Sequence, residues 1–368
     1  ARSIARPTAV TTTPATIHPR LGRFLGLDSD PNEESEFYAV ELESKLAQMG
    51  NATIFVDSRH SKGARSPRWN LLPVHVTGGA FHPKLQILAW TNHIRVIVSS
   101  ANITREGYRF NDELFYVVDF CNEGEGDLNF LSGCLDYFNA VNKFGTWSTD
   151  IKGNINKLTS RIREIAMQFD QYEPPMKYFF TSVLPGGDSL FDQIRTISGN
   201  KVYTSARIEA PSFDQPGTKN EPAEQIWDLL RQRGESKVTY CLRGRKTEKT
   251  KEIELFAPDE LLKCKPQRDS AQIVVELNTE IVENYVRSAH SKYLELSEDR
   301  WKCITIGSSN FSRLGLGLKQ KGKTSSNFEA NVTFLLDQEG DKRLNQQFAG
   351  LISEHEEVDF DKYKVAWL

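Results

Sequence analysis

The sequence predicts an α/β fold of two similar lobes, each a mixed β-sheet flanked by helices. Two observations carry this expectation. Helical stretches with one apolar face alternate with short apolar strands along the chain. One pattern also occurs twice: His82-Pro83-Lys84, Ser99-Ser100-Ala101-Asn102 and Asn111-Asp112-Glu113, then His290-Ser291-Lys292, Gly307-Ser308-Ser309-Asn310 and Asn327-Phe328-Glu329. In both copies Lys lies two residues after His, and Asn lies 20 residues after it.

Taken in order, Glu34 to Met49 reads as a helix with Tyr38, Leu42, Leu46 and Met49 along one face. Ala52 to Asp57 follows as a strand. His82 leads into Leu85, Ile87 and Leu88, and Ile94, Val96, Ile97 and Val98 form a second apolar run that ends in the small-residue turn. Leu114 to Phe120 is a further strand, and Leu128 to Phe144 and Ile151 to Phe169 are helices that close the first lobe. Glu173-Pro174-Pro175 marks the boundary, because paired prolines break helices and favour an extended linker, giving lobes over 1–173 and 174–368. Phe179 to Leu184 opens the second lobe, with a turn at Pro185-Gly186-Gly187 and a helix over Ser189 to Ile197. Val202 to Ala210 reads as a strand, Pro222 to Arg233 as a helix, and Lys237 to Leu242 and Ile273 to Leu277 as strands. The second copy of the pattern repeats the strand pair, with Tyr293 and Leu294, then Ile304 and Ile306.

An extended segment points residues i and i+2 to one face, so His-x-Lys presents an imidazole and an ammonium to one place. Imidazole acts as nucleophile or proton carrier near neutral pH, whereas Lys and Asn donate hydrogen bonds to oxygen. Two such sets facing one another would surround a tetrahedral anion with positive charge and amide donors, which describes a phosphate site. A carboxylate on Nδ1 fixes the tautomer of an imidazole and stabilises the imidazolium, and Glu113 and Glu329 are placed to do this.

These motifs resemble those of the phospholipase D superfamily, marked by a duplicated His-x-Lys followed by a small-residue turn and Asn. The fuller family motif has an Asp five positions after the Lys; here those positions are Ala89 and Ser297. That departure resembles the tyrosyl-DNA phosphodiesterase branch, while the Glu of each Asn-x-Glu resembles that of bacterial nuclease members. The resemblance implies two lobes related by pseudo-twofold symmetry with one active site at their junction. It also implies a metal-independent phosphodiester transfer without a cofactor: His82 attacks phosphorus to give a phosphohistidine, and His290 protonates the leaving group and then activates water. Lys84, Lys292, Asn102 and Asn310 would hold the non-bridging oxygens, and Glu113 and Glu329 would orient the histidines. The symmetry of the motifs leaves open which His is the nucleophile. Ser100, Ser308 and Ser309 in the turns are candidate substrate contacts. So are Phe213 and Asp214, in a Pro-Ser-Phe-Asp stretch similar to a loop of some superfamily nucleases, although an ordinary turn is the simpler reading of that stretch.

Composition bounds the substrate. The chain is 39% hydrophobic and 26% charged, as ordinary globular proteins are. It has no apolar run near the roughly twenty residues needed to span a bilayer. Residues 1–20 lack the apolar core of a signal peptide, and the missing initiator Met implies a trimmed chain. Cys121, Cys134, Cys241, Cys264 and Cys303 are scattered, without Cys-x-x-Cys or a close His pair, so they predict thiols in a reducing cytoplasm and no metal site. Net charge is −3, yet basic residues cluster locally. Arg59, His60, Lys62, Arg65 and Arg68 precede His82, with Arg65 and Arg68 the candidate backbone contacts; Arg243, Arg245, Lys246, Lys249 and Lys251 form a second cluster, and Lys319, Lys321 and Lys323 follow Asn310. Of the aromatics next to the motifs, Phe81, Trp90, Tyr108, Phe110 and Phe311, one or two would stack on a base or a tyrosyl group.

The leading expectation is therefore a nuclease or DNA-end phosphodiesterase whose partner is DNA or another nucleic acid, with no membrane involved. By analogy with relatives, a protein partner in a DNA-processing or defence assembly is a further expectation. The same chemistry on lipid head groups is one alternative, which no amphipathic membrane-docking segment supports. A decayed phosphate-binding module is the other, opposed by intact His, Lys and Asn in both copies.

Overall fold

A computed structural model of the chain describes residues 8–13, 44, 47, 50–61, 69–104, 107–108, 110–122, 124, 126–170, 174, 176–217, 219–246, 253–278, 280–282, 285–287, 289–319, 325–347, 356–357 and 363–365. The first sheet is built from β1 (Thr8–Thr13), β2 (Asn51–Asp57), β3 (Asn70–Val74), β4 (Leu85–Ala89), β5 (Ile94–Ser99) and β6 (Phe115–Phe120). Its order is β3-β2-β1-β4-β5-β6. The strands β3, β2 and β1 are parallel, and each step from β1 to β6 is antiparallel. A continuous run of Ala52-Thr53-Ile54-Phe55-Val56 makes β2, buried throughout as parallel strands covered on both faces are. The helices α1 (Leu128–Phe144) and α2 (Thr149–Ala166) follow, started by the Asp127 and Ser148 side chains, which accept from the backbone amides of Asn129 and Ile151.

The second sheet takes β7 (Lys177–Val183), β8 (Ser205–Glu209), β9 (Ser236–Lys246), β11 (Ala271–Asn278), β14 (Tyr293–Glu298), β15 (Trp301–Gly307), β16 (Glu329–Leu336) and β17 (Glu356–Glu357). Six of these strands run β11-β9-β8-β14-β15-β16, repeating the order and the strand senses of the first sheet. Two additions extend the repeat, β17 beyond β11 and β7 beyond β16. Between these strands lie α3 (Leu190–Ser198), α4 (Glu221–Leu229), α5 (Asp259–Lys263), α6 (Arg313–Leu316) and α7 (Gln338–Gln347). Strand β10 (Ile253–Leu255) joins β9 to β18 (Tyr363–Val365), and β12 (Glu280–Val282) pairs with β13 (Tyr285–Arg287) as a hairpin just ahead of His290.

One core is shared by the two sheets. It holds Leu85, Ile87, Val96 and Val98 from the first, Ile304, Ile306, Val332 and Phe334 from the second, and Phe130, Leu131, Leu135 and Phe138 from α1. Alternate residues of the second sheet, Ile208, Leu294 and Leu296, face the other way and pack with Ile194 of α3 and Ile226 and Trp227 of α4 in a second core. Among the described residues no helix is long and apolar enough to cross a membrane.

Most expected elements are present with shifted ends; the second helix, for example, runs Thr149–Ala166. The expected helix over 34–49 lies outside the described residues except for Ser44 and Ala47, which are helical. Of the expected lobe boundary only Pro174 is described, and β7, just beyond it, joins the second sheet. Strand β3, on which the sequence reading is silent, contains Pro73, which is tolerated at this sheet edge.

Two glycines test how closely the halves pack. A Cβ on Gly79 would lie 2.2 Å from the backbone oxygen of Ser326, whereas one on Gly153 in α2 would meet nothing within 4 Å. Gly79→Ala is expected to cost about 2 kcal/mol or more by prising the junction apart. Gly153→Ala is expected to gain about 0.5–1 kcal/mol from helix propensity. Urea midpoints of the two variants measure both effects.

Candidate active site

Each His-x-Lys immediately precedes the strand that follows the crossover, β4 or β14, and each Asn lies just past the hairpin partner, β5 or β15. The two sets come together because the backbone ahead of one His-x-Lys lies against the Asn-x-Glu of the other half. The His82 amide donates to the Phe328 carbonyl at 3.0 Å, and the Phe328 amide donates to Ala80 O at 2.9 Å. In the other direction the His290 amide donates to Asp112 O at 3.0 Å. The Asn327 side chain tightens the first crossing by accepting from the Ala80 amide at 2.9 Å.

The side chains cross in the same way. His82 Nδ1 is 3.1 and 3.2 Å from the two oxygens of Glu329, and His290 Nδ1 is 2.7 Å from Glu113 Oε1. Each histidine therefore takes its carboxylate from the opposite half. Each carboxylate is held identically: Ser100 Oγ donates to Glu113 and Ser308 Oγ to Glu329, both at 2.5 Å, and the Asn111 and Asn327 amides donate at 3.1 and 2.9 Å. The same serine oxygens accept from the Leu114 and Ala330 amides. The imidazoles keep a partial opening, with side chains 21% and 25% exposed over carboxylates at 0% and 2%.

Both lysines curl back onto the backbone of their own histidine, Lys84 Nζ to His82 O at 2.7 Å and Lys292 Nζ to His290 O at 2.5 Å. Lys292 Nζ also lies 3.0 Å from His290 Nδ1, so that ring edge is shared between an ammonium and a carboxylate. Burial and the neighbouring Lys292 push Lys84 well below the usual ammonium range. Burial lowers Lys292 to about 7, against the pull of Glu113 and Glu329. The histidines are lowered too, by burial and then by Lys84 at His82, and at His290 by burial, with Glu113 opposing and Lys292 reinforcing. Burial alone would raise Glu113, but the hydrogen bond from His290 and the charge of Lys292 hold it down. Neutral imidazoles with Nδ1–H on a carboxylate leave Nε2 lone pairs available, and an anion beside the two buried lysines would favour their charged forms.

Asn102 and Asn310 exit the turns with their Oδ1 atoms buried and unpartnered among the described residues, the same atom in both halves. Both turns continue alike. Thr104 and Ser312 each cap a turn that returns to Gly107 or Gly315, where a Cβ would lie 2.4 or 2.6 Å from the Asn carbonyl oxygen. These residues, and Asn331, went unnoticed in the sequence. Thr104/Ser312 and Gly107/Gly315 keep the spacing of the repeat and could have been found by extending it past the Asn. Asn331 has no such signal. Its Oδ1 accepts from the Ser308 and Ser309 amides, both at 3.1 Å, and its Nδ2 donates to Ser309 Oγ at 2.9 Å.

Several expected substrate contacts are placed elsewhere. Ser100 and Ser308 are fully buried behind the carboxylates, and Ser309 is bonded to Asn331. Phe213 is 7% exposed and packs its ring against Phe311, while Asp214 accepts from the Arg313 amide on the Asn310 loop. The Pro-Ser-Phe-Asp stretch thus braces that loop from behind. Arg65 and Arg68 lie outside the described residues, as do Lys62, Lys249, Lys251, Lys321 and Lys323. Of the motif-adjacent aromatics, Phe81 and Phe311 are core, and Tyr108 is exposed with its hydroxyl held by Gln86. Among the described residues no group of three or more His, Cys, Asp or Glu is gathered as for a metal ion.

Sulfate, which does not titrate in this range, should bind at pH 6 and weaken about tenfold by pH 8.5 as Lys292 loses its proton above about 7. Calorimetric titration at both pH values measures this, and Lys292→Met should remove most of the difference.

No known protein-family model matches the chain, and no curated protein sequence matches it. Solved structures do. Yeast tyrosyl-DNA phosphodiesterase superposes with a TM-score of 0.55 at 12% identity, covering 91% of this chain and 83% of that one. Two variants of the yeast enzyme superpose with TM-scores of 0.53, at 12% and 11% identity, over 90% of this chain and 83% and 84% of theirs. The chain therefore shares the fold of yeast tyrosyl-DNA phosphodiesterase.

Proposed function

We propose that this protein is a metal-independent phosphodiesterase acting on nucleic acid, with residues 1–173 and 174–368 as pseudo-twofold-related lobes and one active site at their junction. The crossed pairs of His82 with Glu329 and His290 with Glu113, set beside two buried lysines, carry the reading. Phosphoryl transfer needs positioning and charge stabilisation, and His, Lys and Asn supply both. The likeness to an enzyme that acts on tyrosyl-DNA supports nucleic acid as the substrate. The scattered cysteines support a cytoplasmic location.

In the mechanism His82 is the nucleophile. Its ring meets one carboxylate through Nδ1, so the Nε2 lone pair is free to form a bond to phosphorus as the bond to the leaving oxygen breaks. His290 gives its proton to that oxygen. A bound phosphodiester anion favours the imidazolium that this step requires, and Glu113 stabilises it. Water then attacks the phosphohistidine, His290 takes the proton, and the P–N bond breaks to restore His82. Lys84, Lys292, Asn102 and Asn310 hold the non-bridging oxygens. Glu329 and Glu113, themselves fixed by Ser308 and Ser100, keep the tautomers.

An end-labelled oligonucleotide should be hydrolysed in excess EDTA. His82→Ala should lose on the order of 10³-fold or more in kcat/KM, and His290→Ala should accumulate an acid-labile, alkali-stable protein adduct. Strict metal dependence, or hydrolysis of phosphatidylcholine with none of DNA, would sink the reading.

A further inference from the structure

Beside the junction lies a groove of about 590 Å³, which the mechanism does not use. Arg59, His75, the Gly78-Gly79-Ala80 turn and Leu314 of the Asn310 loop line it. It ends at Asn327. That residue joins the groove to the centre, because its Oδ1 accepts from Ala80 and its Nδ2 donates to Glu329, the partner of His82.

We propose that this groove is a subsite for the phosphate next to the scissile one on a nucleic-acid strand, with Arg59 and His75 as its ligands. This rests on the phosphodiesterase reading above and extends it from one phosphate to two. The chemistry of the walls selects the occupant. The described groove residues include a guanidinium, an imidazole and a side-chain amide but no carboxylate. Arg59 is 58% exposed, yet its head is fixed: Nε and Nη2 donate to the two oxygens of Asp57 at 2.9 and 2.8 Å. Burial opposes ionisation of Asp57, but Arg59 and the Phe81 amide hold its pKa at about 2, so the pair stays charged at every working pH. Asp57 accepts that amide at 2.8 Å, one residue before His82, so the guanidinium and the nucleophile are tied to one carboxylate. Preorganisation lets Arg59 bind an oxyanion with its remaining edge at little entropic cost. His75 is exposed, with its Nδ1 3.4 Å from Ser58 Oγ.

The test compares a short oligonucleotide with thymidine 5′-(p-nitrophenyl phosphate), which has one phosphodiester and no flanking phosphate. In His75→Gln and in Arg59→Gln/His75→Gln, kcat/KM for the oligonucleotide should fall roughly 10–100-fold, mainly through KM, with the salt slope reduced by about one. His75→Gln should turn over the nitrophenyl ester as the parent protein does. Equal losses on both substrates, or none on either, would overturn the subsite. A loss confined to a phosphotyrosyl peptide would also overturn it, in favour of a protein chain in the groove. Anisotropy of a labelled oligonucleotide provides a readout without turnover. Weaker binding by the variants of a parent protein that hydrolyses neither substrate would uphold the groove and refute the phosphodiesterase.

Discussion

Everything at the centre of this molecule depends on the exchange of carboxylates between halves. Two glutamates, two lysines and two histidines are drawn into one largely buried place, and unpaired burial of any of these charges would be prohibitive. The crossing solves that problem. Glu113 and Glu329 each reach an imidazole of the other half, each takes a serine hydroxyl and an asparagine amide from its own, and the lysines sit within their field. The backbone is wound to suit: the His82 and His290 amides bond to carbonyls of the loops that carry the opposite glutamates.

The fold supplies the rigid frame for this exchange. Six strands of each sheet share one order and one set of directions, so equivalent loops emerge at equivalent places. The shared core with α1 brings those ends together. Departures from the repeat are local and carry their own reasons. Asn331, which pins the Ser308-Ser309 turn, corresponds in the first half to Phe115, whose ring packs against Tyr108. The second turn is therefore held by a side-chain amide that the first lacks.

The duplicated His, Lys, Asn and Glu were legible in the sequence because they recur in the same order in both halves, with His, Lys and Asn at matching spacings, and the helix over Leu128–Phe144 because its apolar face repeats. The partnership of each glutamate was not legible. Spacing along the chain places Glu113 nearer His82, and only the fold reveals that it serves His290. Ser100 and Ser308 looked like ligand contacts for the same reason: sequence shows a hydroxyl beside the Asn but not which way it points. Phe213 looked like a surface residue because it follows Pro-Ser in a loop, yet it is buried with its ring against Phe311. Strand β3 carries Pro73, so local propensity there opposes what an edge position permits.

The crossing of Glu113 and Glu329 has a consequence for the life of the chain. A half that folds alone holds a histidine without its carboxylate and a carboxylate without its histidine. The paired arrangement exists only when both halves have docked, so the site is a product of their assembly.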